Sequence, residues 1–301
     1  MARSQFQILF GVIVFGILCG VVILLVYYWE KVLKPDQQAV KTITTEETQA
    51  NIPPPDPGRK EFAKAMEMIE ADNLTVAQFH LQRILRYYAD SEKFEEAKRV
   101  LGEINADLLL SDTPAPGKVE YTVKSGDALS RIASRNATTI DYIMRANGRT
   151  GTVIHPGNKL WVTPLVFSLE ANIPKKTLTA YRIEASKDSS GDGETEVQEV
   201  FFKEYPIVDV NLPPTVRVPT TTSVEAKSAW VGSKVVQFTN PAYHSSSKWL
   251  NTAKRGLLIR SAPENLAAAS EEEKQGILLN PSDIAELYIY IRSGTKLRLV
   301  N

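Results

Sequence analysis

"YTVKSGDALSRIA", Tyr121 to Ala133, changes its hydrophobic period from two to 3.6 within thirteen positions. Glu120 to Val123 reads as a strand, Lys124-Ser125-Gly126-Asp127 as a tight polar turn, and Leu129, Ile132 and Ala133 as the apolar face of a helix. Asp127 stands where a helix N-cap is expected. Working outward, Thr138 with Asp141 has capping-box spacing and opens a second helix bearing Ile140, Ile143 and Met144 on one face. Asn147-Gly148 closes it in the manner of a left-handed cap. "HPGNKLWV" then turns into a final strand, Lys159 to Val162. The order β-α-α-β fills residues 119–163.

This run, "YTVKSGDALSRIASRNATTIDYIMRANG…VIHPGNKLWV", resembles the LysM family over the whole unit. The resemblance implies binding of N-acetylglucosamine-containing glycans, chiefly peptidoglycan or chitin. It also implies a shallow groove between the first turn (Ser125, Gly126, Asp127, Ala128, Leu129) and the facing loop (Ile154, His155, Pro156, Gly157). Gly126 lets backbone approach a sugar closely. Leu129, Ile154 and Pro156 offer apolar surface, although Leu129 and Ile132 also fit a purely core role. Ala128 departs from the family, which often carries a hydroxyl there. His155 reads as a groove-rim residue. The unit holds no carboxylate pair of glycosidase type, so it is expected to bind and not to cleave.

Upstream, Phe6 to Tyr28 contains no charged side chain. As a helix it would span about 34 Å, enough for a bilayer's hydrocarbon core. Tyr27, Tyr28 and Trp29 suit the interface. Residues 1–29 are therefore expected to be an uncleaved transmembrane anchor. A cleaved signal peptide would have a shorter apolar run ending at small residues, and lipidation of Cys19 is disfavoured by bulky Leu18. Residues 30–58, with "IPPPDPG", read as an extended spacer in which no packed helix is expected. Residues 59–111 carry three helical stripes, the second opened by a Thr75/Gln78 capping box, and are expected to pack as short antiparallel helices. They resemble a tetratricopeptide-type hairpin of about one and a half units, short of the three or so such repeats need. A helical spacer or docking unit is the plainer reading, with His80 on a helix face. Residues 112–118, "DTPAPGK", form a second linker.

Downstream, residues 164–301 turn to strands. "VFSLEA", "KTLTAYRI", "VQEVFFKEYPIV" and "SKVVQFTN" are the candidates, followed by a helix opened by Pro281 and Ser282 and a closing strand after "SGT". This region resembles the YkuD-type L,D-transpeptidase domain. "KTLTAYR" with "VFFKEYPIV" matches its opening strands, and "QGILLNPSDIAELYIYIRSGTKLRL" matches the segment that begins with a histidine-glycine-cysteine motif in active members. The resemblance implies acyl transfer through a cysteine thiolate assisted by histidine. Here Gln275 precedes Gly276, Ile277 stands at or beside the cysteine place, and Leu279 at that of the following arginine. The upstream histidine should fall in "RGLLIRSAP", around Leu258, which has none. The chain's one cysteine is Cys19, so no shift of alignment restores a thiol. His244 beside Ser245, Ser246 and Ser247 reads as a polar loop, because adjacent residues rarely present a nucleophile and base to each other.

Charge excludes little but points away from nucleic acid: Lys plus Arg and Asp plus Glu number 35 each, with no long single-sign block. One cysteine and three scattered histidines give no metal-ligand spacing and no disulfide framework, so no metal or cofactor is expected. The expectation is a multidomain α+β chain: transmembrane helix, helical segment, βααβ module and a mostly-β, catalytically silent transpeptidase-like domain. It would be anchored in the cytoplasmic membrane with its bulk outside, holding peptidoglycan. Two other readings stay open: a divergent wall transferase or hydrolase, and a scaffold recruiting wall enzymes through residues 59–111.

Overall fold

The computed structural model describes residue 27 and residues 56–112, 114–115, 117–187 and 195–301. The expected anchor and most of the proline-rich spacer lie outside them. Among the described residues no helix is long and apolar enough to cross a membrane.

Helix α1 (Pro57–Glu70) begins earlier than expected, with Pro57 inside its first turn. A proline there gives up only an N–H that has no helical partner. Asp56 is the N-cap and accepts from the Gly58 N–H at 2.8 Å. Its other oxygen accepts from Ser91 Oγ at 2.8 Å and the Glu92 N–H at 3.2 Å, tying the start of α1 to a distant turn. A side chain at Gly58 would meet Ser91 Oγ at 2.2 Å, so this crossing needs glycine. Helix α2 (Leu74–Tyr87) is capped by Asn73, not by the Thr75/Gln78 pair. Helix α3 is Phe94–Leu110. Ala65, Ala77, Leu81, Ile84, Ala97 and Leu101 fill the space among the three. His80 Nδ1 lies 2.7 Å from Glu61.

The module follows as β1 (Val119–Thr122), α4 (Leu129–Arg135), α5 (Ile140–Ala146) and β2 (Lys159–Val162). Strands β1 and β2 pair antiparallel, Val119 opposite Val162 and Thr122 opposite Lys159. Both expected caps shift by one residue. Ala128 is the N-cap of α4, without a side-chain bond, and Thr139 caps α5 by accepting from the Tyr142 N–H. Asn147 binds α5 to β2, accepting from the Trp161 N–H at 2.7 Å and donating to the Trp161 carbonyl at 3.0 Å. Gly148, at φ 57°, lets the Arg149 N–H reach back to the Met144 carbonyl.

The rest is strand-rich: β3 (Phe167–Asn172), β4 (Thr177–Lys187), β5 (Thr195–Asn211), β6 (Thr220–Val231), β7 (Lys234–Val235), β8 (Ser247–Thr252), β9 (Leu258–Ser261), helix α6 (Glu271–Lys274), β10 (Gly276–Leu279), helix α7 (Pro281–Tyr290) and β11 (Lys296–Val300). Among the described residues nine of these strands form one sheet, ordered β11-β3-β4-β5-β10-β9-β8-β6-β7. Strand β11 also pairs with β6, which closes the sheet into a barrel and removes its main edges. The β11–β3 and β10–β9 pairs are parallel, the rest antiparallel. The strand expected over "SKVVQFTN" shrinks to Lys234–Val235, because Asn240 and Pro241 bend the chain into a 3-10 turn, Pro241–Tyr243.

One apolar core runs from Val123, Leu129, Ile132 and Tyr142 of the module into Leu169, Leu178, Ile259 and Leu287 of the barrel. Helix α3 leans on β5. Asn105 donates to the Phe202 carbonyl at 2.6 Å, and Lys203 and Glu204 pair with Glu103 and Lys98 at 2.7 and 2.6 Å.

Candidate functional site

The antiparallel pairing of β1 with β2 puts the turn after β1 and the loop before β2 at one end of a two-stranded ribbon. Two bonds lock them together: the Gly157 N–H donates to the Val123 carbonyl and the Val123 N–H to the Asn158 carbonyl, both at 2.8 Å. Gly126 (φ 80°) and Gly157 (φ 89°) take left-handed conformations, and nothing lies within 4 Å of where a side chain would begin at either. Two bare backbone corners therefore face open space at this end of the ribbon. Ser125, Gly126, Ala128, His155, Pro156 and Gly157 are exposed there, and Ile154 is half-buried.

Two expected contact residues do something else. Asp127 is a bracket for the turn: Oδ2 accepts from the Lys124 N–H at 2.9 Å and Tyr121 OH at 2.7 Å, and Oδ1 from Arg135 at 3.2 Å. The Lys124 N–H bond, then the Tyr121 hydroxyl, hold its carboxyl below the usual range. Leu129 is 3% exposed, a core residue that gives the groove no surface. Three supporting residues escaped the sequence reading. Tyr121 closes the bracket, Arg131 donates to the Gly126 carbonyl at 2.6 Å, and Asn158 shapes the loop by accepting from the His155 N–H at 2.9 Å. The four-residue steps from Asp127 to Arg131 and on to Arg135 were the available signal for the basic cluster.

At the opposite end of the chain, Ile277 sits in β10 between Val210 of β5 and Ile259 of β9 with no exposed surface. Gly276 (φ 100°) is pressed against β9, where a side chain would meet the Leu258 carbonyl oxygen at 2.4 Å. Gln275 Nε2 donates to the Gly256 carbonyl at 3.0 Å, and Leu258 is half-buried. These four residues are packed together as barrel wall.

A third polar cluster joins the module to the barrel. Tyr243 OH donates to Asp141 at 2.7 Å, and Lys227 Nζ lies 3.6 Å from the same carboxylate while donating to the Tyr288 carbonyl. Burial pushes the Lys227 ammonium down to about 8. Lys248 Nζ donates to Ser246 Oγ at 2.8 Å and to the Tyr243 carbonyl, and burial lowers its pKa too. Among the described residues no group of histidine, cysteine and carboxylate ligands could hold a metal ion.

The module is a LysM domain: residues 121–163 match that family. Curated relatives match over short stretches of the chain. The N-acetylmuramoyl-L-alanine amidase sle1 of Staphylococcus aureus strain MRSA252 is 51% identical over 51 residues, 17% of this chain and 15% of that protein. Its counterpart in strain USA300 is 46% identical over 59 residues, 20% of this chain and 18% of that one. The chain thus spans less than a fifth of the length of these relatives. Solved structures similar to the chain include an L,D-transpeptidase (Yku) from Stackebrandtia nassauensis, at 13% identity and TM-score 0.29, covering 45% of this chain and 56% of that one. L,D-transpeptidase 1 of Mycobacterium tuberculosis matches at 13% identity and TM-score 0.27, covering 48% of this chain and 67% of that one. Scores of this size do not by themselves define a shared fold.

Proposed function

We propose that this protein holds the peptidoglycan of a bacterial cell envelope through its LysM domain and performs no wall chemistry of its own. The observation that carries the reading is the pair of bare backbone corners at Gly126 and Gly157 inside a sequence-matched LysM domain. Bare backbone at both edges lets a pyranose ring and its acetamido group come within hydrogen-bond reach of peptide groups, while Pro156 and Ile154 supply apolar contact. The relatives are named N-acetylmuramoyl-L-alanine amidases, and that name supports a muramoyl-containing ligand for this chain.

The catalytic silence of the barrel rests on composition and packing. The only thiol in the chain is Cys19, and Ile277, at the position where the transpeptidase resemblance expects the nucleophile, is enclosed. The charge-free stretch from Phe6 to Tyr28 supports an anchor in the cytoplasmic membrane, and the wall ligand proposed for the LysM domain puts that domain on the outer side. Tethering would raise a weak module's occupancy, since the effective local concentration of a confined partner is on the order of mM. Recruitment of wall enzymes through α1–α3 remains a secondary role in this reading.

Retention of the full chain, in detergent, on insoluble peptidoglycan is the test. Gly126→Trp should reduce the retained fraction about tenfold by filling the groove. Gly126→Ala, carrying the backbone strain of about 1–2 kcal/mol without the bulk, should lose far less. Equal retention of wild type and the tryptophan variant, with unchanged circular dichroism, overturns the groove as the glycan site.

A further inference from the structure

A cleft of about 540 Å³ opens between α5 of the LysM domain and the β8–α7 side of the barrel, away from the Gly126–Gly157 groove. Its apolar surface comes from Leu110, Met144 and Ile289, and its charge from Arg145, Arg149 and Lys248. Two carboxylates also border it, but both are engaged. Glu286 accepts from Lys203 at 2.9 Å and from Tyr205 OH at 2.6 Å. Asp141 is held by Tyr243 OH and Lys227.

The three cations lack such partners. Among the described residues none of Arg145, Arg149 and Lys248 has a carboxylate within ion-pair distance. Arg149 donates to the Val153 carbonyl but keeps its Nε buried with no partner. Lys248 is 5% exposed, two of its three N–H groups go to the Tyr243 carbonyl and Ser246 Oγ, and its ammonium lies 3.6 Å from the centre of the Tyr243 ring, so its charge is met by neutral groups and by no anion. An unpartnered buried donor is costly, and an incoming anion relieves that cost. Arg145, exposed at the rim, adds a mobile guanidinium suited to forked pairing with a carboxylate.

We infer that this cleft is a second binding site, which takes a short acidic peptide with small aliphatic side chains, its carboxylates facing Arg145, Arg149 and Lys248 and its methyl groups the Leu110–Met144–Ile289 surface. The inference rests on the wall-binding reading for its biological source: a glycan held in the LysM groove brings its peptide branches close to the same domain. The cleft itself is defined by charge and shape alone, so the two can fail separately.

The experiment is isothermal titration of the full chain in detergent with three probes. They are the free tripeptide alanyl-glutamyl-alanine, the same peptide with every carboxyl amidated, and an N-acetylglucosamine tetramer. The free peptide should bind, the amidated one should bind at least about tenfold more weakly, and raising salt should weaken the first alone. Arg145→Glu, on an exposed helix position, should cost the free peptide about tenfold and leave the sugar tetramer unaffected. Arg149→Gln should act in the same direction. If the free peptide fails to bind, or binds equally well when amidated or with Arg145→Glu, the second site is disproved even where the sugar still binds. If the peptide binds and the sugar does not, the cleft stands and the glycan reading falls.

Discussion

The proposed catalytic silence is testable at Ile277, which the transpeptidase resemblance puts at or beside the place of the thiolate, because its surroundings decide what sulfur could do there. Its neighbours are Val210 and Ile259 on the flanking strands, and none of the three histidines lies in β9 or β10. A thiol in that place would be pushed up in pKa by burial and have no base to take its proton. Ile277→Cys should therefore leave the chain unable to join or hydrolyse stem peptides. It should cost about 1–3 kcal/mol of stability through the cavity it leaves. Ellman's reagent should label that thiol only after unfolding. Fast labelling of the native variant, beyond what Cys19 contributes in the parent protein, would show an accessible cleft and revive the catalytic reading. Gly276 reinforces the point, because its approach to the Leu258 carbonyl leaves no room for a reshaped active-site loop.

At the scale of elements, Lys227 joins β6 to α5 and α7, and its ionisation sets a pH dependence. The groups facing it are Asp141, which favours its charge, and Lys248, which opposes it, while the Tyr288 ring lies 4.1 Å below the ammonium. Its pKa is about 8 when folded, against an ordinary lysine value near 10.4 when unfolded. Between those values the unfolded chain binds more protons, so this residue makes stability rise with pH from about 8 to about 10.4. The gain is on the order of 3 kcal/mol at the top of that window. Urea unfolding at pH 7.5 and pH 10 should show the difference shrinking in Lys227→Met, and an unchanged difference would place the titration elsewhere. Elements of the LysM domain were readable in the sequence, since the switch from alternation to helical spacing and the turn glycines mark each boundary. The caps were misplaced by one residue: Thr138 and Thr139 have equal capping chemistry and are ranked only by helix register, while the Asp127 carboxylate is taken up by the Lys124 N–H and Tyr121 hydroxyl, leaving Ala128 as the N-cap. Strands β6 and β8 went unread: "TTTSVEAKSAWV" and "SKWLNT" mix polar and apolar residues on both faces, and the long-range pairing of β6 with β8 and β11 decides them. Gly126 and Gly157 announced the bare corners, whereas the cationic cleft gathers Arg145, Lys248 and Ile289 from distant stretches that no local pattern connects.

For the whole molecule, the shared core sets how the parts unfold. A LysM domain of this size is small for independent stability, and here it does not stand alone. The Leu165 N–H donates to the Ala137 carbonyl at 2.8 Å, Thr139 Oγ1 donates to the Ile289 carbonyl, and Asp141 receives Tyr243 OH, so the start of α5 is bonded to the barrel side at three points. The apolar cluster of Leu129, Ile132, Tyr142 and Leu160 continues into that of the barrel, while α1–α3 enclose a separate one. Residues 119–301 should accordingly lose structure in one cooperative step, together with α3, whose Leu109 belongs to the same core and whose Asn105 donates to the Phe202 carbonyl. Hydrogen exchange read by mass spectrometry along a urea series tests this: peptides from α4–α5 and from β3, β4 and β11 should share one midpoint, and Thr139→Val should lower that midpoint for both sets together. A LysM set that opens well below the barrel set would show the glycan-binding unit to be mechanically independent. Shared unfolding would instead mean that, under the proposed function, a load on bound glycan is carried into the barrel, which would give that barrel a mechanical role.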